Sequence, residues 1–286
     1  KPNLKPLAWL SLGVGAAALI GGGVTGMSAA LDAAKAGFEA TIVEKTGGEL
    51  AFEPFGANDV VGDFQLYDAV KKFIFTEVEP ITAEFFRLGA DREDRWSYAP
   101  GQLELLESVK DKAKEQGLWN FFLPDAETGE GLKNLDYAYI AMELGKNPLA
   151  SESMNCAAPD TGNMEVLERV GTPEQKENWL TPLLNGEIRS AYVMTEPDVA
   201  SSDAKQIACS AVRDGDEYVV NGSKTFITNG INSDLVIVAA KTDPTERHSG
   251  LSLLVLERGM EGFERGRNLD KIGMHSQDTA ELFFND

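Results

Sequence analysis

The sequence predicts an α+β fold: an antiparallel α-helical domain over residues 63–188 and an antiparallel β-barrel or sandwich over residues 189–286, preceded by a Rossmann-like βαβ fragment and linker over residues 1–62. Three observations predict it. Apolar residues recur at helical spacing from Leu66 to Leu184, the period changes to alternation after Gly186, and the first fifty residues read strand, G-x-G-x-x-G, helix, strand.

At the N-terminal end, Lys1 to Lys5 and the apolar run Leu7 to Ile20 resemble a secretory leader, with a basic start and a hydrophobic middle. The run, however, passes directly into Gly21-Gly22-Gly23-Val24-Thr25-Gly26, a helical stretch Met27 to Ala36, and Thr41-Ile42-Val43-Glu44. That is the order a dinucleotide-binding unit requires. Gly21 would make the turn, Gly23 would admit a pyrophosphate to the backbone, Gly26 would let helix pack on strand, and Glu44 would hold a ribose hydroxyl. These residues resemble the opening of FAD-dependent pyridine-nucleotide oxidoreductases, including the flavin subunit of heterodisulfide reductases. A two-stranded parallel unit cannot cover its own faces, yet Gly47 to Gly62 reads as loop with only the short Val60-Val61. Either the fragment packs on another element or the sequence joins pieces not contiguous in nature. A first residue of Lys suggests an incomplete translation product.

The helical part follows from periodicity and caps. Leu66, Val70, Phe73, Ile74 and Val78 share one face, and Pro80 is expected to interrupt that helix. Pro100 opens a second, with Leu103, Leu106, Val109 and Ala113 inward and Gly117 at its C-terminal cap. Leu118 to Leu123 is apolar and stops at Pro124, and Asn134 is expected to cap a helix ending at Gly145. Thr172-Pro173-Glu174-Gln175 is a capping box that leads into Trp179, Leu180, Leu183 and Leu184. These stripes read as core.

Strands are expected at Ile207 to Val212, Tyr218 to Val220, Leu235 to Ala240, Leu251 to Leu256 and Leu282 to Phe284. Asp214-Gly215 and Asn221-Gly222 mark two hairpin turns. Cys209, in an alternating run, reads as a small core residue.

Composition excludes several functions. Forty-six acidic against 26 basic side chains give a formal charge of −20, which argues against a nucleic-acid surface. An anionic ligand would need backbone N–H groups, helix N-termini or a few placed cations. Cys156 and Cys209, in no metal-like spacing, argue for a reducing compartment, cytoplasmic or mitochondrial matrix; with only His248 and His275 present, no metal site is expected.

The most informative stretch runs from Ala191 to Gly230. A short apolar run ends at Thr195-Glu196-Pro197, then come small hydroxylated residues and turn-rich strands that can offer N–H and hydroxyl groups to a planar ligand. The same residue types also build ordinary turns. Read together, Met194-Thr195-Glu196-Pro197-Asp198-Val199-Ala200-Ser201-Ser202-Asp203 and Asn221-Gly222-Ser223-Lys224-Thr225-Phe226-Ile227-Thr228-Asn229-Gly230 resemble the acyl-CoA dehydrogenase family. The resemblance extends upstream, where Asn155 to Glu165 and Gly171 to Lys176 look like the long-chain branch sometimes fused to kinase-like domains. Downstream, Lys271 to Phe284 looks like the strand closing the family's β-domain.

The resemblance implies FAD as cofactor, an acyl-CoA thioester as substrate, an electron-transfer flavoprotein as partner, and a homodimer or homotetramer. Tyr192, Met194 and Thr195 would line the flavin, Thr195 and Thr228 would hydrogen-bond near its reactive edge, and Phe226, where most relatives carry Trp, would pack on it. Members usually show Gly-Ser-Asp where this chain has Ala200-Ser201-Ser202-Asp203, so either Ser201 or Ser202 takes the cofactor and thioester position. The family's base is a glutamate of a C-terminal helical domain that lies past Asp286. No catalytic base is therefore assigned here, and Glu196 matches a turn position. Three readings follow: a flavin acyl-CoA dehydrogenase, a subunit of a flavin electron-transfer complex in which Gly21 to Glu44 binds a second FAD, and a non-catalytic subunit that keeps the fold.

Overall fold

The computed structural model describes residues 41–43, 49–51 and 63–285, except 91, 93–96, 126–127, 200–202, 247 and 275–276. Gly21, Gly23, Gly26 and Glu44 lie outside the described residues. β1 (Thr41–Val43) is present as expected, but its described partner is β2 (Glu49–Ala51), antiparallel, in a stretch read as loop.

The helical part opens with α1 (Asp63–Phe73), a π-turn (Ile74–Val78) and α2 (Glu79–Gly89). Pro80 does not stop the helix. It occupies the first turn of α2, and the π-turn ahead of it closes with Glu79 N–H donating to the Ile74 carbonyl. Widening the turn there leaves room for a ring that would otherwise meet the preceding turn's carbonyl. The same device recurs where α7 (Pro173–Gln175) and the π-turn Lys176–Leu180 lead to Pro182 in α8 (Thr181–Asn185). Between them lie α3 (Gln102–Glu115), α4 (Asn134–Leu144), α5 (Ala150–Ser153) and α6 (Asp160–Val170). Gly117 takes φ +70° just past α3, as its cap role requires. Asn134 is the first residue of α4 rather than its cap, and the capping residue Lys133 offers no side-chain bond. The Thr172 capping box is complete, with Gln175 N–H on Thr172 Oγ1 and Thr172 N–H on Gln175 Oε1.

The sheet is mixed, which corrects the antiparallel barrel or sandwich. β3 (Ser190–Val193) runs parallel to β6 (Leu235–Lys241), and β4 (Ser210–Asp214) meets the end of β6 in parallel register at Ser210 and Lys241. β7 (Leu251–Glu257) pairs antiparallel on the other side of β6. From β4 the sheet continues antiparallel through β5 (Glu217–Thr228), β9 (Thr279–Phe284) and β8 (Phe263–Asn268), the last a strand that the alternation missed. Gly215-Asp216 makes the expected hairpin between Asp214 and Glu217. Asn221-Gly222 makes none and lies inside the twelve-residue β5. Gly222 serves a close approach: a Cβ there would sit 2.8 Å from Cys209 Cα.

β6 explains how the halves join. It is buried from Leu235 through Ala240. Its alternate residues Leu235 and Ile237 enter the helical core with Val70, Phe73, Leu106 and Phe121, while Val236 and Val238 enter the sheet's own core with Ile227, Leu282 and Phe284. A strand covered on both faces reads as a continuous apolar run, and each fully buried Leu, Ile or Val is worth roughly 1.5–3 kcal/mol.

Candidate functional site

Ser190, Ala191 and Val193 of β3 are buried, and pleating turns Tyr192 outward to 39% exposure. Beyond Val193 the chain leaves β6 and crosses to β5. Thr225 N–H donates to the Thr195 carbonyl at 2.9 Å, and Thr195 Oγ1 donates to the Thr225 carbonyl. At the other end of the same crossing, Asn229 Nδ2 donates to the Ser190 carbonyl at 3.1 Å. Tyr192 to Met194 and Phe226 to Thr228 therefore lie between two cross-links joining the same strand pair.

β5 is irregular at this place. Lys224 pairs with Leu282 and Ile227 with Ala280, so three steps on β5 match two on β9, and the extra residue makes a bulge. Phe226 on the bulge adopts φ +59° and exposes 69% of its surface. A left-handed conformation costs a non-glycine residue on the order of 1–2 kcal/mol, and such strain concentrates where a side chain must be aimed. Thr228 is half-buried opposite Thr279. The structure thus brings the segments that carry Tyr192, Met194, Thr195, Phe226 and Thr228 side by side as one wall, with Met194 packed against the sheet's own core. Outward aromatic faces at Tyr192 and Phe226, the Thr228 hydroxyl and the Thr195 oxygen, whose proton goes to Thr225, suit a flat ring with hydrogen-bonding edges. Ser201 and Ser202 lie outside the described residues. A separate cleft of about 350 Å³, lined by residues including Tyr218, Leu254, Phe263 and Phe284, contains none of the residues of this wall.

Beneath the wall sits a pair the sequence reading did not find. Lys224 is fully buried, and its Nζ donates to Glu196 Oε1 at 2.9 Å. Glu196 also accepts the Ala208 and Cys209 N–H groups at 2.8 and 2.9 Å. Glu196 is thus committed to structure, in keeping with its turn position. The only hint in sequence is a basic residue inside a strand and an acid inside a turn, a signal shared by many surface residues.

A second buried network ties the wall to the helices. Arg189 Nε meets Asp160 Oδ2 at 2.7 Å and its Nη1 meets Glu152 Oε1 at 2.7 Å, while Lys110 reaches Glu152 at 2.9 Å. Asp160 Oδ1 accepts both the N–H and the Oγ–H of Ser190. Burial pushes the Asp160 carboxyl up, against the pull of Arg189. For Glu152 burial pushes up too, but Arg189 and Lys110 outweigh it and hold the carboxyl below its ordinary value. Among the described residues no group of three or more His, Cys, Asp or Glu side chains could hold a metal ion.

Comparison with known proteins gives two adjoining matches: the N-terminal domain model of acyl-CoA dehydrogenase over residues 63–187 and its middle domain model over residues 191–286. The chain belongs to the acyl-CoA dehydrogenase family. A mouse protein, acyl-CoA dehydrogenase family member 10, is 43% identical over 236 residues, covering 79% of this chain and 21% of that protein. A solved structure from Mycobacterium abscessus that carries the name acyl-CoA dehydrogenase superposes with TM-score 0.73 at 40% identity over 81% of this chain and 59% of that one. A structure described as PigA with FAD and proline superposes with TM-score 0.64 at 25% identity over 82% and 57%. The chain spans about a fifth to two fifths of the length of the curated acyl-CoA dehydrogenase relatives it matches. Among the described residues, no helix is long and apolar enough to cross a membrane.

Proposed function

We propose that the wall around Thr195 and Phe226 binds FAD and that the protein takes part in α,β-dehydrogenation of an acyl-CoA thioester. The observation that carries this reading is the β5 bulge, which holds Phe226 outward at a positive φ beside the Thr195–Thr225 cross-link. Family membership supports it, as does the FAD named for the PigA structure. When bound, FAD would supply an acceptor for the β-hydride of the thioester, the α-proton passing to a base not assigned here. The chain's own residues bind and orient: Phe226 packs on the ring, the Thr228 hydroxyl donates at its edge, Thr195, whose hydroxyl proton goes to the Thr225 carbonyl, offers that oxygen and its backbone N–H there, and Ser201 or Ser202 contacts cofactor and thioester. Donors on that edge favour the more electron-rich reduced state. Tyr192 and Met194 complete the lining. In the alternative reading, a subunit of a flavin electron-transfer complex, Gly21, Gly23, Gly26 and Glu44 would hold a second FAD.

No residue from 63 to 285 is assigned as base, and Glu196 is excluded because Lys224 and two amides occupy it. We divide the chain into a fragment over 1–62, a helical domain over 63–188 and a flavin-site β domain over 189–286. The long-chain branch, an electron-transfer flavoprotein as acceptor, a homodimer or homotetramer, and a cytoplasmic or matrix location complete the proposal.

The test is spectroscopic. The polypeptide is mixed with FAD, freed of excess, and titrated anaerobically with acyl-CoA esters of graded length. Retained flavin that bleaches with a chain-length preference supports the reading. A folded protein that retains no flavin defeats it.

A further inference from the structure

Lys224 has no contact with solvent, and all three of its ammonium protons are committed: Met194 O at 2.9 Å, Glu196 Oε1 at 2.9 Å and Ala239 O at 2.7 Å. Through Glu196 the cluster also holds the Ala208 and Cys209 amides. Four segments meet at one buried cation: the exit of β3, the approach to β4, the middle of β6 and the residue that begins the β5 bulge. Buried ion pairs are weak sources of stability, because desolvation cancels much of their attraction. Their best-attested use is to fix one arrangement among several.

What this pair fixes can be followed atom by atom. Lys224 pins the Met194 carbonyl, and a planar trans peptide then sends the Thr195 N–H in the opposite direction. Thr195 is bonded through both its carbonyl and its hydroxyl to Thr225, which directly follows Lys224 and precedes Phe226. A displacement of the ammonium moves the Met194–Thr195 peptide and the root of the bulge together. Because Glu196 balances the charge of Lys224, the pair transmits geometry more than field.

We propose that Lys224 and Glu196 are positioning residues for the flavin: without touching it, they set how Thr195 and Phe226 meet its edge, and so its relative affinity for oxidised and reduced flavin. This rests on the flavin reading above.

The test uses Glu196→Gln and the double variant Lys224→Met with Glu196→Gln, in the full chain loaded with FAD. Thermal unfolding, the flavin absorption spectrum and the midpoint potential by dye equilibration are compared with the parent protein. A positioning role predicts a shifted spectrum and about a tenfold change in the affinity ratio in the double variant, which is roughly 30 mV for a two-electron couple. A merely structural role lowers the unfolding temperature and leaves the potential of the folded, flavin-loaded protein at the parent value; that result overturns the proposal. Should the double variant not fold, Lys224→Gln with Glu196→Gln decides, since that pair is also neutral and keeps donors and acceptors in the site. A parent protein that takes up no FAD defeats the flavin reading and this inference with it. A parent that binds FAD beside folded variants of unchanged potential defeats only the positioning role.

Discussion

Arg189→Met removes a cation that joins helices and sheet. The guanidinium holds Asp160 at 2.7 Å and Glu152 at 2.7 Å, both nearly or largely buried. Removing it strands two carboxylates, and stranding one partner of a buried pair costs roughly 3–5 kcal/mol. Partial compensation remains, because Lys110 still reaches Glu152 at 2.9 Å and Ser190 still donates twice to Asp160. The lower end, about 3 kcal/mol, is therefore expected, with a fall in unfolding temperature of roughly 6–12 °C for a protein of this size. Urea unfolding followed by tryptophan fluorescence measures it.

The pH dependence is a second signature of the same loss. In the parent, Glu152 is held below its unfolded value, so it adds stability that is present above about pH 4 and is lost as the pH falls through the folded value. Asp160 is raised, so its contribution has the opposite sign and is lost as the pH rises through its folded value. Without Arg189 both carboxyls rise, and the variant's deficit grows from acid to neutral pH. Adding Asp160→Asn should recover part of the deficit at pH 7, because one stranded charge is gone. A loss below about 1 kcal/mol, independent of pH, would show that the network is ornamental and refute the reasoning.

Three further outcomes follow from single residues. Phe226→Gly relieves the positive φ and gives up little burial, so the flavin-free protein should be as stable or up to about 1 kcal/mol more stable, while FAD binding weakens about tenfold; unweakened binding would remove Phe226 from the site. Gly222→Ala drives a Cβ to 2.8 Å from Cys209 Cα, a backbone neighbour that cannot swing aside, and should cost about 1–3 kcal/mol in urea unfolding; a neutral result would show that β5 shifts freely. Burial and the 2.6 Å bond to Glu143 push Tyr67 up to about 12, so the folded state keeps this proton and loses the associated stability as pH rises past 10 toward that value. A difference spectrum between the parent and Tyr67→Phe at pH 11 should show only a minor phenolate band from this residue, and a full-strength band would contradict it.

Local chemistry was readable where a few neighbouring residues decide the outcome. Thr172 and Gln175 bond each other's backbone across three positions, and Gly117 and Gly215 take the positive φ that their turns need. The errors arose where a distant partner decides. Asn221-Gly222 has turn composition, yet the packing of Cys209 on Gly222 keeps it inside a strand. The parallel pairing of β3 with β6 leaves no local mark, because Ser190 and Leu235 lie 45 positions apart with other strands between them. The wall shows the same division. Thr195 and Phe226 were named through the motif they belong to, whereas Lys224 and Glu196, 28 residues apart, become a pair only when β5 folds against β3.

The placement of β6 bears on the order in which the polypeptide can fold. During synthesis the helices emerge first, but two plugs of their core, Leu235 and Ile237, arrive only after more than forty further residues. Early collapse would leave that pocket open and sticky, which is where nascent chains associate with one another or with chaperones. Insertion of this late strand would complete the helical interior and supply the neighbour on which Ser190 to Val193 aligns, so the stretch around Thr195 and Phe226 would mature as one of the last events of folding.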